Sequence, residues 1–323
     1  METCFDTGFF NRLGGRKMGK IAFLFAGQGA QSVGMGKDLY DNNAAAKAVF
    51  DMGEALRPGT EAMCFEGPGE ALTQTENTQP CLFLTDLACA RALEAAGVKA
   101  DMAAGFSLGE IPALAFAGVL SDEDAFKLVT LRGEKMSECA AKHPGSMVAA
   151  LKLDNAKVEE VCAGFKNVYP VNYNCPGQLS CAGAVEELDA FVDAIKAAGG
   201  RAVKLAVSGA FHTPFMAEAT QALAEKLNDM KVSAPELTLY SNLTGEAYPS
   251  GKAEIIDTVS KQASNSVRWE KLVRDMAANG VDTFIEVGAG TTLSGLVKRT
   301  LTDVRVFNVC DMATLTETVK NVM

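Results

Sequence analysis

Histidine and tryptophan are scarce in this chain, which has two of the first and one of the second among 323 residues. Any chemistry that needs an imidazole must therefore use His143 or His212. Nine cysteines are scattered without a Cys-x-x-Cys pair or a histidine cluster. That pattern provides neither a zinc site nor a disulfide framework, and it points to reduced thiols in a cytoplasm. There is no apolar run long enough to span a bilayer, and no charged start with a small-residue cleavage site. Basic residues are outnumbered, 30 Lys and Arg against 40 Asp and Glu. The resulting formal charge of -10 disfavours nucleic acid and anionic membrane surfaces as partners. The Gly-rich stretches Gly27–Gly29 and Gly288–Gly290 match neither the dinucleotide fingerprint nor the phosphate loop, so no cofactor and no metal are expected.

What is present has the rhythm of an α/β protein. Residues 1–18 lack periodicity and read as a leader outside the fold. Met18 stands just before the first convincing strand, Ile21 to Phe25, and is the expected physiological start; Leu13-Gly14-Gly15 has the look of a translated ribosome-binding site. Apolar strands then alternate with amphipathic helices, among them Lys37–Met52 and Pro80–Ala96, the latter with proline in its first turn. Between Ser146 and Leu205 the order is strand, helix, strand, strand, helix, strand, with a turn at Asn174-Cys175-Pro176-Gly177. The expected architecture is a large α/β-hydrolase-like domain with a parallel sheet, residues 19–144 and 207–323. A small ferredoxin-like βαββαβ subdomain, residues 145–206, is inserted in it. Clefts between domains are favoured ligand sites.

Gly105-Phe106-Ser107-Leu108-Gly109-Glu110 places one serine between glycines at a strand-to-helix junction. Small neighbours permit a sharp turn that exposes a nucleophile, and the N–H groups opening the next helix face a developing oxyanion. The partner base is His212, directly before the helix start Thr213-Pro214, where the positive helix end favours a neutral imidazole. His143, before Pro144-Gly145, reads as a linker residue. Many acidic residues lie between serine and histidine, but none sits in a recognisable post-strand loop where an α/β-hydrolase supplies the third triad member; an amide or a backbone carbonyl can orient the histidine instead. Gln262 is the candidate, although an exposed helix glutamine is the ordinary alternative.

Taken in order, the blocks Phe25–Gln31, Thr78-Gln79-Pro80, Gly105–Glu110, Leu131-Arg132-Gly133, Asn172–Gln178, Phe211-His212 and Phe284–Gly288 resemble the malonyl-CoA:acyl carrier protein transacylases of fatty-acid synthesis. The resemblance runs from about Gly19 to Cys310. It implies Ser107 as nucleophile, His212 as base, and the backbone amides of Gln28 and Leu108 as the oxyanion hole. It also implies Gln262 as the residue whose carbonyl orients the histidine, and Arg132 as the binder of the malonyl carboxylate. Phe211 and Asn174 fall at substrate-binding positions, and Phe211 resembles the bulky residue of enzymes that prefer the unbranched malonyl unit. Two positions depart from the pattern: Phe106 stands where many relatives have histidine, and Ala289 where they have proline. The reaction implied is a ping-pong transfer from malonyl-CoA to acyl carrier protein by a monomer with no cofactor. A thioester hydrolase and a free-standing acyltransferase for polyketide carriers are the rival readings. Since carrier proteins of that family are acidic, docking needs local basic groups. Arg268, Lys271 and Arg274 on one helix, with Lys298 and Arg299 on another, either supply them or form a solvated face.

Overall fold

The computed structural model describes residues 19–323, so the leader and the Met18 start lie outside the described residues. Nine strands are present among these residues: β1 (Lys20–Phe25), β2 (Met102–Gly105), β3 (Gly145–Leu151), β4 (Val168–Cys175), β5 (Gln178–Ala184), β6 (Arg201–Lys204), β7 (Thr238–Tyr240), β8 (Val281–Val287) and β9 (Arg305–Val309). They form two sheets. The first is parallel, in the order β7-β2-β1-β8-β9.

β1 lies at the centre of the parallel sheet and is apolar on both faces, as a strand covered by helices on both sides must be. Its alternate residues serve two cores. Phe23 and Phe25 join the large cluster with Leu82, Leu114 and Phe126, while Ala22 and Leu24 face Trp269, Leu272 and Phe284. The strand order turns around at β1, and in such sheets ligands gather beyond the carboxyl ends of the strands at that point.

The second sheet is antiparallel, in the order β4-β5-β3-β6, with helices Asn155–Cys162 and Val185–Ala197 crossing between its strands. That order and connectivity give the ferredoxin-like βαββαβ unit, with a core of its own around Val148, Leu179, Phe191 and Ile195. Backbone bonds tie it to the large sheet's side: Tyr173 N–H donates to Val267 O at 3.0 Å, and Val267 N–H to Val171 O at 2.7 Å.

Two helices differ from the sequence expectation. The run Lys37–Met52 is broken into Lys37–Asn42 and Ala44–Leu56, because the Asn43 side chain accepts from the N–H groups of Ala45 and Ala46 and starts a new helix. The helix expected from Pro80 begins at Thr75, which places Pro80 in its interior. Proline there leaves the carbonyl four residues earlier without its helical donor. That carbonyl belongs to Glu76, and the Arg57 Nη2 supplies a donor at 3.5 Å.

Candidate active site

The serine motif folds as it does because its glycines leave no room for anything larger. A Cβ on Gly105 would lie 1.9 Å from the carbonyl carbon and oxygen of Gly109, and a Cβ on Gly109 would lie 2.3 Å from Phe25 O. β2 therefore turns at once into a short 3-10 turn, Ser107–Gly109, followed by helix Glu110–Phe116. Ser107 itself adopts φ 55°, the left-handed region that side chains avoid. Such a conformation costs on the order of 1–3 kcal/mol and persists only where the surroundings impose it.

Ser107 Oγ lies 2.7 Å from His212 Nε2. His212 is buried and also left-handed, at φ 62°. Its Nδ1 is 3.0 Å from the main-chain oxygen of Gln262 and 3.1 Å from that of Asn265, so the ring is a donor at Nδ1 and an acceptor at Nε2. Burial, and after it the nearby Arg132 charge, hold the imidazole down at about pKa 4. Neutrality thus comes from burial and a neighbouring cation, whereas the sequence pointed to the helix end. That end is occupied locally: Phe215 N–H donates to Thr213 Oγ1.

Arg132, on helix Asp122–Lys142, is 1 % exposed. Nη1 donates to Gln79 Oε1 at 2.7 Å, and Nη2 to Gln262 Oε1 at 3.0 Å and to Ser107 Oγ at 3.3 Å. Its Nε has no partner among the described residues. Burial pulls the guanidinium down to about 10, against the pull of Glu110. A cation buried among amides and a hydroxyl, with no carboxylate bonded to it, is set up to receive an anionic group.

Gln262 does more than its main chain suggests. Its Oε1 accepts from Arg132 and its Nε2 donates to Ser107 O at 2.6 Å, so it is a buried bracket and not an exposed helix glutamine. The N–H groups of Gln28 and Leu108 have no acceptor among the described residues, and Gly27 packs so closely that a Cβ there would lie 2.7 Å from Phe106 O. Phe211, beside His212, is buried in the main core. Asn174 is buried on β4 and donates to Ser180 Oγ at 3.1 Å; no hydrogen bond joins it to the Ser107 cluster among the described residues. Phe106 packs edge-on against Trp269, ring centroids 5.3 Å apart. His143 caps its helix and stacks on Phe215, and no hydrogen bond joins it to Ser107 among the described residues.

Three side chains at the site were not singled out from the sequence: Gln79, Glu110 and Asn242. Asn242 follows β7 in the polar run Ser241–Gly245, and a polar loop at the carboxyl end of a parallel strand is the signal that could have found it. Glu110 is buried and accepts from Tyr248 OH and from Asn242 N–H. Burial pushes its carboxyl up to about 7, while Tyr248, Asn242, Gln262 and Arg132 favour its anion. The basic residues on helix Trp269–Ala278 are partly neutralised within the chain, Lys271 by Glu246 and Arg274 by Glu270.

Among the described residues no helix is long and apolar enough to cross a membrane, and no group of three or more His, Cys, Asp or Glu side chains could hold a metal ion. The model of the acyl transferase domain family matches residues 22–321. Malonyl CoA-acyl carrier protein transacylase of Bacillus subtilis is 38% identical over 304 residues, covering 92% of this chain and 96% of that protein. Its namesake in Escherichia coli K12 is 39% identical over 288 residues, covering 87% and 93%. Among solved structures, the malonyl CoA-acyl carrier protein transacylase of Clostridium perfringens superposes with a TM-score of 0.89 at 38% identity, covering 94% of this chain and 97% of that one. Another superposes at 0.90 with 34% identity, covering 94% and 99%, and is described as a type II polyketide acyl-carrier protein in complex with its malonyl-transacylase. With a serine held against a buried imidazole and a buried arginine, this chain belongs to the acyl transferase domain family and, within it, to the malonyl CoA-acyl carrier protein transacylases.

Proposed function

We propose that this enzyme moves a malonyl group from malonyl-CoA to the phosphopantetheine thiol of an acyl carrier protein through an ester on Ser107. One observation carries the choice of acyl group: Arg132, buried and without a carboxylate partner, lies 3.3 Å from the serine oxygen. The terminal carboxylate of a malonyl thioester sits at that range from its reacting carbonyl and would replace the hydroxyl and amide partners of the guanidinium.

In this reading His212 Nε2 takes the Ser107 proton as Oγ attacks the thioester carbonyl. The oxyanion faces the N–H groups of Gln28 and Leu108, each such donor contributing about 3 kcal/mol to transition-state binding. The intermediate collapses, the C–S bond breaks, and the CoA sulfur leaves with the proton from His212. The carrier's thiol then gives its proton to His212 and attacks the ester, and Ser107 Oγ recovers that proton as it departs. The imidazolium is steadied by two carbonyl oxygens and no carboxylate, which makes a milder base, better suited to a thiol than to water. The free thiols among the described residues accord with a cytoplasmic site of action.

The test is product partition. Wild-type enzyme given malonyl-CoA and a phosphopantetheinylated carrier should place malonyl on the carrier, as read by intact mass, with little free malonate. Free malonate as the main product would make the chain a hydrolase. A polyketide-type carrier belongs beside a fatty-acid one in that assay, because a relative is described in complex with the former; the larger kcat/KM identifies the partner.

The pH profile follows from the imidazole. A histidine lowered to about 4 stays neutral as pH falls through its ordinary value near 6.5, so the acid limb of kcat/KM for the free enzyme should lie below pH 5. The same group favours the folded state above 6.5, and that contribution is lost as pH falls towards 4. Replacing Arg132 with Gln should move the limb upward in pH, since one of the two causes of the depression is gone. A wild-type limb at pH 6–7 would contradict the burial argument.

A further inference from the structure

We propose that Asn242 is the positioning residue of the elbow, clamping Ser107 in its left-handed conformation and thereby selecting which backbone N–H remains for the oxyanion. The inference rests on acyl transfer through Ser107 and adds to it a device for aiming the nucleophile.

One side-chain amide holds both sides of the turn. Asn242 Oδ1 accepts from Ser107 N–H at 2.7 Å, and Nδ2 donates to Gly105 O at 2.6 Å, the two groups that flank the bend. Asn242 is fully buried, so neither bond has water competing for it. Asn242 is fixed in turn: its own N–H donates to Glu110 Oε1 at 3.2 Å, and its carbonyl accepts from Arg268 N–H at 2.9 Å. Glu110 is the first residue of the helix that leaves the elbow, and Tyr248 OH donates to the same Oε1. Tyr248 is anchored by its N–H on Leu239 O, in β7. Strand end, elbow, helix start and the loop after β7 thus close into one ring of hydrogen bonds around the serine.

The chemical consequence concerns the N–H groups. An unclamped serine would relax towards ordinary φ and swing its N–H and Oγ together. With Ser107 N–H engaged by Asn242, that donor cannot serve the tetrahedral oxygen, and the next one, on Leu108, is left without an acceptor. Asn242 therefore fixes both the Oγ direction towards His212 and the identity of the elbow's oxyanion donor. It touches neither substrate nor the reacting atoms, so its effect must appear in the rate of acylation per working site.

The experiment is single-turnover malonylation of the full chain by malonyl-CoA, followed by intact mass. It yields a rate constant and a stoichiometry. Asn242→Ala should lower the rate constant at saturating malonyl-CoA about 10²-fold, the size of effect that a misplacement of about 1 Å produces, while one malonyl per chain is still reached. An unchanged rate constant, or a loss confined to stoichiometry as a merely structural role would give, overturns the proposal. Should Asn242→Ala fail to fold, Tyr248→Phe reads the same ring one bond further out: a several-fold fall in rate constant at full stoichiometry is expected, and no fall overturns it. The wild-type arm separates this inference from the proposed function: a wild type that never becomes malonylated refutes the proposed function and this inference with it, whereas a normal wild type beside an unimpaired Asn242→Ala refutes the inference alone.

Discussion

Ser107→Ala should lower malonyl transfer by at least about 10⁴-fold and leave no malonyl adduct on the protein after exposure to malonyl-CoA. Among the described residues the serine oxygen is the only hydroxyl bonded to both His212 and Arg132, at 2.7 and 3.3 Å, so no neighbour there can replace it. His212→Ala should cost a comparable factor, and the double variant little more than either, because a nucleophile and its base act as a unit. Melting temperatures should change little in Ser107→Ala, since removing the oxygen relieves none of the backbone bonds that hold the turn. A malonyl adduct on Ser107→Ala at wild-type stoichiometry would sink the assignment.

Arg132→Ala should reverse the acyl preference. Malonyl transfer is expected to fall about 10³-fold or more, the penalty a site pays when a group built to bind a charged or polar partner is lost. Acetyl transfer should rise, because an acetyl group in the wild type leaves the buried guanidinium without an anionic partner, whereas the variant has no charge to satisfy. Arg132→Lys should be intermediate for malonyl: a lysine keeps the charge but presents it as a single point on a flexible stem, in place of the planar fork that holds Gln79 and Gln262 through separate nitrogens. The measurement is the ratio of kcat/KM for malonyl-CoA to that for acetyl-CoA. A ratio unchanged in Arg132→Ala would show that the carboxylate is bound elsewhere.

The elbow could be read in the sequence because its steric demand is local: Gly105 and Gly109 are four residues apart and each excludes a side chain. The alternating sheet and the βαββαβ unit were legible for a similar reason, since burial period and turn chemistry are written along a strand. β9 escaped notice because Arg305–Val309 is half-buried at a sheet edge and carries arginine and asparagine where a core strand would be apolar. The closing helix Met312–Val322 escaped with it, its start set by Asp311 and Thr314 in place of the usual acidic or amide third residue. What orients His212 had no side-chain signature, being two main-chain oxygens. Asn242 acts on Ser107 across 135 positions, a distance at which only the fold supplies the meeting.

The backbone pairing of Val267 with β4 also has a consequence for motion. Only one residue, Ser266, separates Val267 from Asn265, whose carbonyl steadies the imidazole. A rocking of the ferredoxin-like unit would drag that short tether and pull an oxygen away from the ring, so the catalyst is geared to the posture of its smaller lobe. Whatever settles against that lobe also adjusts how firmly the base is held.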